Sequence, residues 1–257
     1  MNIDCKSIRK NILEASHTSG HGHIPTCFSI IEILYSIYSK GQFGNSINDD
    51  IFILSKGHGS LGYYGVLAHF GFIETKELHT FGQHKSRLGC HADRKKVPGV
   101  YASTGSLGHG IGLAVGVALA SKIIGNNRKV YVLIGDGESN EGSCWEALMV
   151  AAHNKLSNLI VIFDDNKSQG RCLPVSLPNE KFQSFGFETL SVKGHNIDLI
   201  TQSLNHSTND QPLAIIADTV KGWGCKTLVE NRYEWHRRSP NKDELELLLG
   251  ELDAQTI

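Results

Sequence analysis

A parallel β-sheet with helices on both faces, an α/β fold, is the architecture this sequence predicts, and three observations predict it. Short, apolar, β-prone runs recur at 129–134, 159–163 and 213–217. Helix-like segments separate them, and a strand buried on both faces reads as such a continuous run rather than as an alternation. Two of the runs stop abruptly at polar clusters, Gly135-Asp136-Gly137 and Asp164-Asp165-Asn166. In open α/β sheets ligands bind beyond the carboxyl ends of strands, so the pattern itself points at these two clusters.

The elements follow in order. Residues 7–15 read as a helix, which Thr18-Ser19-Gly20-His21-Gly22-His23 breaks. Apolar residues recur at helical spacing over 28–38, at Ile30, Ile31, Leu34, Ile37 and Tyr38, and 61–70 also reads as helical. A glycine-rich stretch, 105–116, runs into an Ala-rich helix over 113–124. Residues 140–154 form a helix with Trp145, Leu148, Met149 and Ala152 on one face. Residues 187–192 and a helix near 197–204 continue the alternation, and Asp243-Glu244-Leu245-Glu246-Leu247-Leu248-Leu249 reads as a short amphipathic helix.

A chain of 257 residues, 40% of them hydrophobic, can bury a substantial core. Neither an internal repeat nor a Pro/Ser-rich linker interrupts it, so one domain is expected over 1–257, with a short C-terminal helical extension near 240–257. The 25 Lys and Arg nearly balance the 26 Asp and Glu, which gives no reason to expect nucleic acid or an anionic membrane as partner. No apolar run approaches the roughly 20 residues of a membrane span. The N-terminus lacks the apolar core of a signal peptide, and a cytoplasmic location is expected. The six cysteines contain no C-x-x-C pair and are read as small buried hydrophobes. The 27 glycines and 13 histidines suggest tight backbone approaches and a site.

The chemistry begins at Asp136. An aspartate between two glycines at a strand end presents its carboxylate without steric cover, and the second glycine lets a diphosphate approach the backbone. Asn166, at the next strand end, offers an amide oxygen. Together with a backbone carbonyl and phosphate oxygens, these suit a hard cation such as Mg²⁺. Gly, Asp and Asn also dominate ordinary turns. The pairing of the two clusters on consecutive strand ends, with one helix between, is what favours a site. Gly108-His109-Gly110-Ile111-Gly112 lacks the full dinucleotide fingerprint, and no P-loop motif is present. His17, His21 and His23 crowd one loop, without cysteines or carboxylates at zinc spacing.

The Gly-Asp-Gly cluster, then a helix, a strand and an Asn, resembles the thiamine-diphosphate motif. Three stretches are similar to the transketolase version: Gly135-Asp136-Gly137-Glu138-Ser139-Asn140-Glu141-Gly142, Ile53-Leu54-Ser55-Lys56-Gly57-His58-Gly59-Ser60, and Ser103-Thr104-Gly105-Ser106-Leu107-Gly108-His109-Gly110. The resemblance runs in order from about 16 to 240 and is to the N-terminal subunit of split, two-chain transketolases. It implies a thiamine-diphosphate-binding fold of the diphosphate-binding type.

It also implies roles. Asp136, Asn166 and the backbone carbonyl of Ser168 would ligate Mg²⁺, or Mn²⁺ or Ca²⁺. Gly137, Asn166 and the 105–107 loop (Gly105, Ser106, Leu107) would meet thiamine diphosphate. His58 and His236 would sit by its diphosphate and thiazolium, and His23 and His91 would face the substrate, with His23, His91 and His236 catalytic. Glu141 reads either as a first-turn carboxylate on a helix dipole or as a contact between chains.

The implied activity is transfer of a two-carbon ketol unit from a ketose to an aldose, with small sugars or sugar phosphates as substrates. The implied partner is a separate pyrimidine-binding subunit, in a heterotetramer with two copies of each chain, since the glutamate that polarises the aminopyrimidine lies there in the family. The alternatives are a specialised acyl or ketol transferase, a 2-oxo acid decarboxylating subunit, which would lack the Lys56-Gly57-His58-Gly59 segment, and a non-catalytic relative, which would not need a metal site.

Overall fold

A computed structural model describes residues 1–44, 46–126 and 128–254 of the chain; the end of the expected C-terminal extension, 255–257, lies outside the described residues. Five parallel strands form one sheet: β1 (Ile51–Leu54), β2 (Val130–Gly135), β3 (Leu159–Asp165), β4 (Glu188–Lys193) and β5 (Leu213–Asp218), in the spatial order β1-β2-β3-β5-β4. The apolar runs of the sequence are β2, β3 and β5, the three inner strands. Strand β1 is only four residues long and runs straight into Ser55-Lys56-Gly57, so its periodicity is too short to read without its neighbour.

Side chains alternate along each strand, and both faces are apolar. Leu54, Leu133, Ile162 and Ile215 point to one face. There they meet α1 (Ile3–Ser19), α2 (Ile24–Ser29), α3 (Ile31–Lys40), α4 (Ser60–His69), α8 (Ile197–Leu204) and α10 (Lys242–Ala254). Ile53, Val132, Val161 and Phe163 point to the other, under α5 (His109–Ile123), α6 (Gly142–His153) and α7 (Pro178–Ser184). A short helix, α9 (Lys226–Glu230), adds Leu228 to the first core. The helix expected over 28–38 is two helices, because Ile30 (φ −111°, ψ 1°) leaves helical geometry between α2 and α3. Helix α7 had no sequence signal beyond the Pro178 at its start.

Two constraints fix where the site lies. A Cβ on Gly110, in the first turn of α5, would stand 2.6 Å from Ser55 Cα, so only glycine lets α5 close onto the end of β1. On the opposite face, buried Arg9 of α1 grips Glu32 of α3 through two bonds of 2.6 and 2.7 Å and donates to the Phe28 carbonyl at 2.7 Å. The Val220 N–H donates to His195 Nε2 at 2.8 Å, so the imidazole proton sits on Nδ1 and is given to Glu32 Oε2 at 3.0 Å. The ring stacks flat on Trp223, 4.4 Å between centroids. This chain of bonds ties α1 and α3 to the segment that follows β5.

Replacing Gly110 by Ala is expected to destabilise the fold by about 1–3 kcal/mol, read as a lower thermal midpoint; an unshifted melt would show that α5 can back away at no cost. Glu32 supplies a pH prediction. Burial alone would raise its carboxyl, but Arg9 and His195 outweigh burial and hold it near about 2. An unfolded glutamate titrates near about 4.3. The contribution is therefore complete above that value and is lost as pH falls through the folded one. Acid melts of the wild type against Glu32→Gln should show the variant losing less stability over that window.

Candidate active site

The carboxyl ends of β1, β2 and β3 and the turn after α9 surround a cleft of about 280 Å³. Its floor is built by strand termini. Asp136 follows β2, is 4% exposed, and takes hydrogen bonds from the Gly137 N–H (2.8 Å) and the Gln169 N–H (3.1 Å). Burial raises the Asp136 carboxyl above the ordinary aspartate range, with Asp164 adding to the rise, while the two N–H donors and Lys56 pull it down. A cation set against it would remove that penalty.

Asn166 follows β3 and is 2% exposed. Its amide cannot rotate freely. Nδ2 donates to Asp164 Oδ2 at 2.7 Å, so Oδ1 is the end turned toward the Ser168 N–H, 3.0 Å away, and the Ser168 hydroxyl. The donor set is thus one carboxylate and one oriented amide oxygen. Among the described residues no group of three His, Cys, Asp or Glu side chains is arranged to hold a metal. Such a sparse oxygen set fits a hard cation whose remaining ligands come from backbone and phosphate.

Asp164 lies directly beneath. It is fully buried and accepts bonds from the Lys56 ammonium, the Thr219 hydroxyl, Ser29 Oγ (2.9 Å) and Asn166 Nδ2. Burial opposes its ionisation, but Lys56 and the hydroxyl donors win and hold it below the usual aspartate value. Glu138, 1% exposed, does similar work on the other side. It accepts from Ser55 Oγ (2.5 Å), the Gly108 N–H (3.0 Å) and the Gly135 N–H (3.3 Å), joining the ends of β1 and β2 to the start of α5.

Histidines form the wall. His23, His58 and His236 come from three separate parts of the chain, yet their ring centroids lie 5.2–6.3 Å apart. Burial first, then neighbouring His236 and Arg237, bring His23 down to about 4. Partial burial, then Lys221 and Arg237, bring His236 to about 4. His58 is pushed well below its usual value by burial and by Lys56. Lys221 itself is lowered to about 8 by burial and by Lys56, and it donates to Ser168 Oγ at 3.0 Å and to His236 Nδ1 at 3.1 Å. His91, Gly105 and Leu107 complete the wall. The close approach of Gly57 to the Gly105 backbone, 2.9 Å for a Cβ, brings the 105–107 loop against the motif at 55–60.

Every cofactor, metal and catalytic residue proposed from the sequence therefore meets at one cleft, except that Ser106 is exposed and stands outside its wall. Sequence reasoning missed Asp164 as the hub, Glu138 as the staple, and Lys221, Gln169 and Arg237. Asp164 and Glu138 carried a signal, since both sit inside the quoted polar clusters. Lys221 and Arg237 carried none, because only the return of the chain after β5 brings them here.

Comparison with known proteins gives the family. The family described as transketolase, thiamine diphosphate binding domain, matches residues 3–252. The chain is 42% identical to an apulose-4-phosphate transketolase subunit of Actinobacillus succinogenes, over 96% of this chain and 94% of that protein. It is 33% identical to a 6-deoxy-6-sulfo-D-fructose transketolase subunit of Clostridium, with the same coverage of 96% and 94%. Against the transketolase of Homo sapiens the identity is 34%, over 96% of this chain but 41% of that one. The crystal structure of a Pichia stipitis transketolase in complex with sedoheptulose 7-phosphate superposes with a TM-score of 0.90 at 25% identity, over 97% of this chain and 40% of that chain. The matched residues, the five-stranded parallel sheet and the relatives together place this chain in the transketolase family, as its N-terminal, thiamine-diphosphate-binding domain and as a relative of the corresponding subunits of split transketolases.

Proposed function

We propose that this chain is the diphosphate-holding subunit of a two-chain transketolase that moves a two-carbon ketol unit from a ketose to an aldose. The observation that carries the reading is the pair Asp136 and Asn166 on adjacent strand ends, with the asparagine oxygen turned out by Asp164. We take residues 1–257 as one domain, closed by α10 against α1 through Lys6 and Lys10 on Asp253. Two relatives are named for a sugar phosphate and a sulfosugar, and an anionic sugar is the substrate class we propose. A cytoplasmic location is part of the same reading; among the described residues no helix is long and apolar enough to cross a membrane.

Asp136, the Asn166 oxygen and the Ser168 carbonyl would hold Mg²⁺, or Mn²⁺ or Ca²⁺ in its place. Gly137, His58, Lys221 and the 105–107 loop would receive the diphosphate. When bound, thiamine diphosphate supplies the electron sink for the ketol unit. The chain supplies orientation and proton handling. Lys221 occupies His236 Nδ1 as a donor, so the proton of that ring is held on Nε2. His23 and His236, at about 4, are uncharged at neutral pH and can each donate or accept a proton there. His23 and His91 would meet substrate hydroxyls.

A separate pyrimidine-binding chain is supported by the match to proteins named as transketolase subunits rather than as whole transketolases, and two copies of each chain is the assembly we propose. It is supported also by exposed apolar side chains on the mutually packed α5 and α6, where Leu113, Met149 and Val150 are 46–58% exposed.

Two outcomes follow. Asp136→Ala should abolish Mg²⁺-dependent binding of thiamine diphosphate to the assembled enzyme, measured by calorimetry, with the circular-dichroism melt retained; undiminished affinity would remove the metal assignment. The purified chain, given cofactor, Mg²⁺ and a ketose donor, should show no ketol transfer until the second chain is added. Turnover by the chain alone would refute the two-chain reading.

A further inference from the structure

The segment that follows β5 is held at every residue from Thr219 to Gly222. The Thr219 hydroxyl donates to Asp164, Lys221 donates to Ser168 Oγ and His236 Nδ1, and the Gly222 N–H donates to the Pro25 carbonyl of α2 at 2.9 Å. The remaining hold comes from behind the cleft. The Val220 N–H donates to His195 Nε2, the other face of that imidazole is turned to Glu32, and Glu32 is gripped by Arg9. None of these three side chains lines the cleft. The turn that carries His195 is itself pressed against the same segment. The Gly194 N–H donates to the Asp218 carbonyl at 2.8 Å, and a Cβ on Gly194 would collide with the Thr219 side chain. Arg9 also reaches the Phe28 carbonyl, one residue before Ser29, whose hydroxyl donates to Asp164.

A buried ion pair of this kind adds little net stability, because desolvation cancels much of the attraction; its better-attested use is to fix one arrangement over others. Here the arrangement is directional. With Nδ1–H given to Glu32 and the ring flat on Trp223, the lone pair of Nε2 points one way only, and the Val220 N–H must meet it there. That bond fixes the peptide plane between Thr219 and Val220. The next residue is Lys221, whose flexible four-carbon stem reaches a defined target only if its backbone is placed. We propose that His195, held by Glu32 and Arg9, is a positioning residue of the active site: it sets the backbone at Val220 so that the Lys221 ammonium meets His236 Nδ1 and keeps the proton of that ring on Nε2. The consequence for the cofactor rests on the transketolase reading, in which Lys221 receives the diphosphate. The consequence for His236 does not.

Three variants of the full chain carry the test, each checked first by a thermal melt. His195→Phe keeps an aromatic ring on Trp223 and removes both hydrogen bonds. His195→Gln restores an acceptor for Val220 and a donor for Glu32. Lys221→Met is the reference. In the chain labelled with ¹⁵N-histidine, His236 should show one protonated and one unprotonated ring nitrogen, the signature of a single tautomer. Those two signals should move toward each other in His195→Phe and in Lys221→Met, and return in His195→Gln. Mg²⁺-dependent binding of thiamine diphosphate to the assembled enzyme, read by calorimetry, should weaken by about tenfold in each of His195→Phe and Lys221→Met, the loss of one charge-assisted contact. The double variant should be within about twofold of Lys221→Met alone, because both changes act through one ammonium and do not add. Unmoved His236 signals in folded His195→Phe would overturn the proposal, and so would losses that add in full. If His195→Phe does not fold, Glu32→Gln takes its place: it removes the charge that holds His195 Nδ1–H and should move the His236 signals in the same direction, and unmoved signals there would equally overturn the proposal. Cofactor affinity unchanged in Lys221→Met while the His236 signals move would sink the diphosphate reading and leave the positioning of Lys221 standing.

Discussion

The buried carboxylate of Asp164 is the interaction on which the site depends. It gathers Lys56 from beyond β1, Ser29 from α2, Asn166 from the end of β3 and Thr219 from beyond β5, while its own backbone carbonyl accepts the Asp136 N–H at 3.2 Å. Three strand ends and one helix thus converge on one side chain, and a fourth strand end bonds the backbone of the same residue. A carboxylate taken out of water costs several kcal/mol unless it is paired and fully hydrogen-bonded. Here both oxygens are engaged, so the group stays ionised and its partners are held in single orientations. The most consequential of these is the Asn166 amide, whose nitrogen is committed to Asp164 and whose oxygen is thereby turned away from it, toward the Ser168 N–H and hydroxyl.

Around that hub the site is built as a cationic wall over an oxygen-lined floor. Lys56 is paired with Asp164, while among the described residues neither Lys221 nor Arg237 makes an ion pair. Burial first, and then the neighbouring imidazoles and the cations Lys56, Lys221 and Arg237, hold the cleft histidines below their ordinary value. The chain thus carries a positive field that an anionic ligand would complete, and histidines that can pass a proton without first losing one. The Arg9–Glu32–His195 network stands behind this wall. Through the Val220 N–H it fixes the backbone one residue before Lys221, so a buried ion pair between two helices bears on where the lysine ammonium sits.

Much of this was legible in the residues. The inner strands β2, β3 and β5 are apolar on both faces because helices cover both, and that produces unbroken runs of Val, Ile and Leu. The edge strand β4 is half-buried, and β1 is too short, so neither has as clean a signature. The glycines at 57 and 110 reflect close approaches between distant segments, where an added Cβ would stand 2.9 and 2.6 Å from the facing backbone, and a sequence shows these only as glycine-rich motifs.

The sequence by itself determined the parallel α/β sheet, the strand ends that carry Asp136 and Asn166, and the kinship that names the cofactor. These are local: a strand, the turn that ends it, and the residue types a diphosphate and a hard cation require. The tertiary structure alone decided which charges meet. Asp164 finds Lys56 across 108 positions of sequence, and Lys221 finds Ser168 across 53. Arg238 is bound to Glu234 and Glu244 while its neighbour Arg237 faces the cleft. The physical reason is that pairing of buried charges depends on where the chain returns, and no periodicity along the chain encodes that distance.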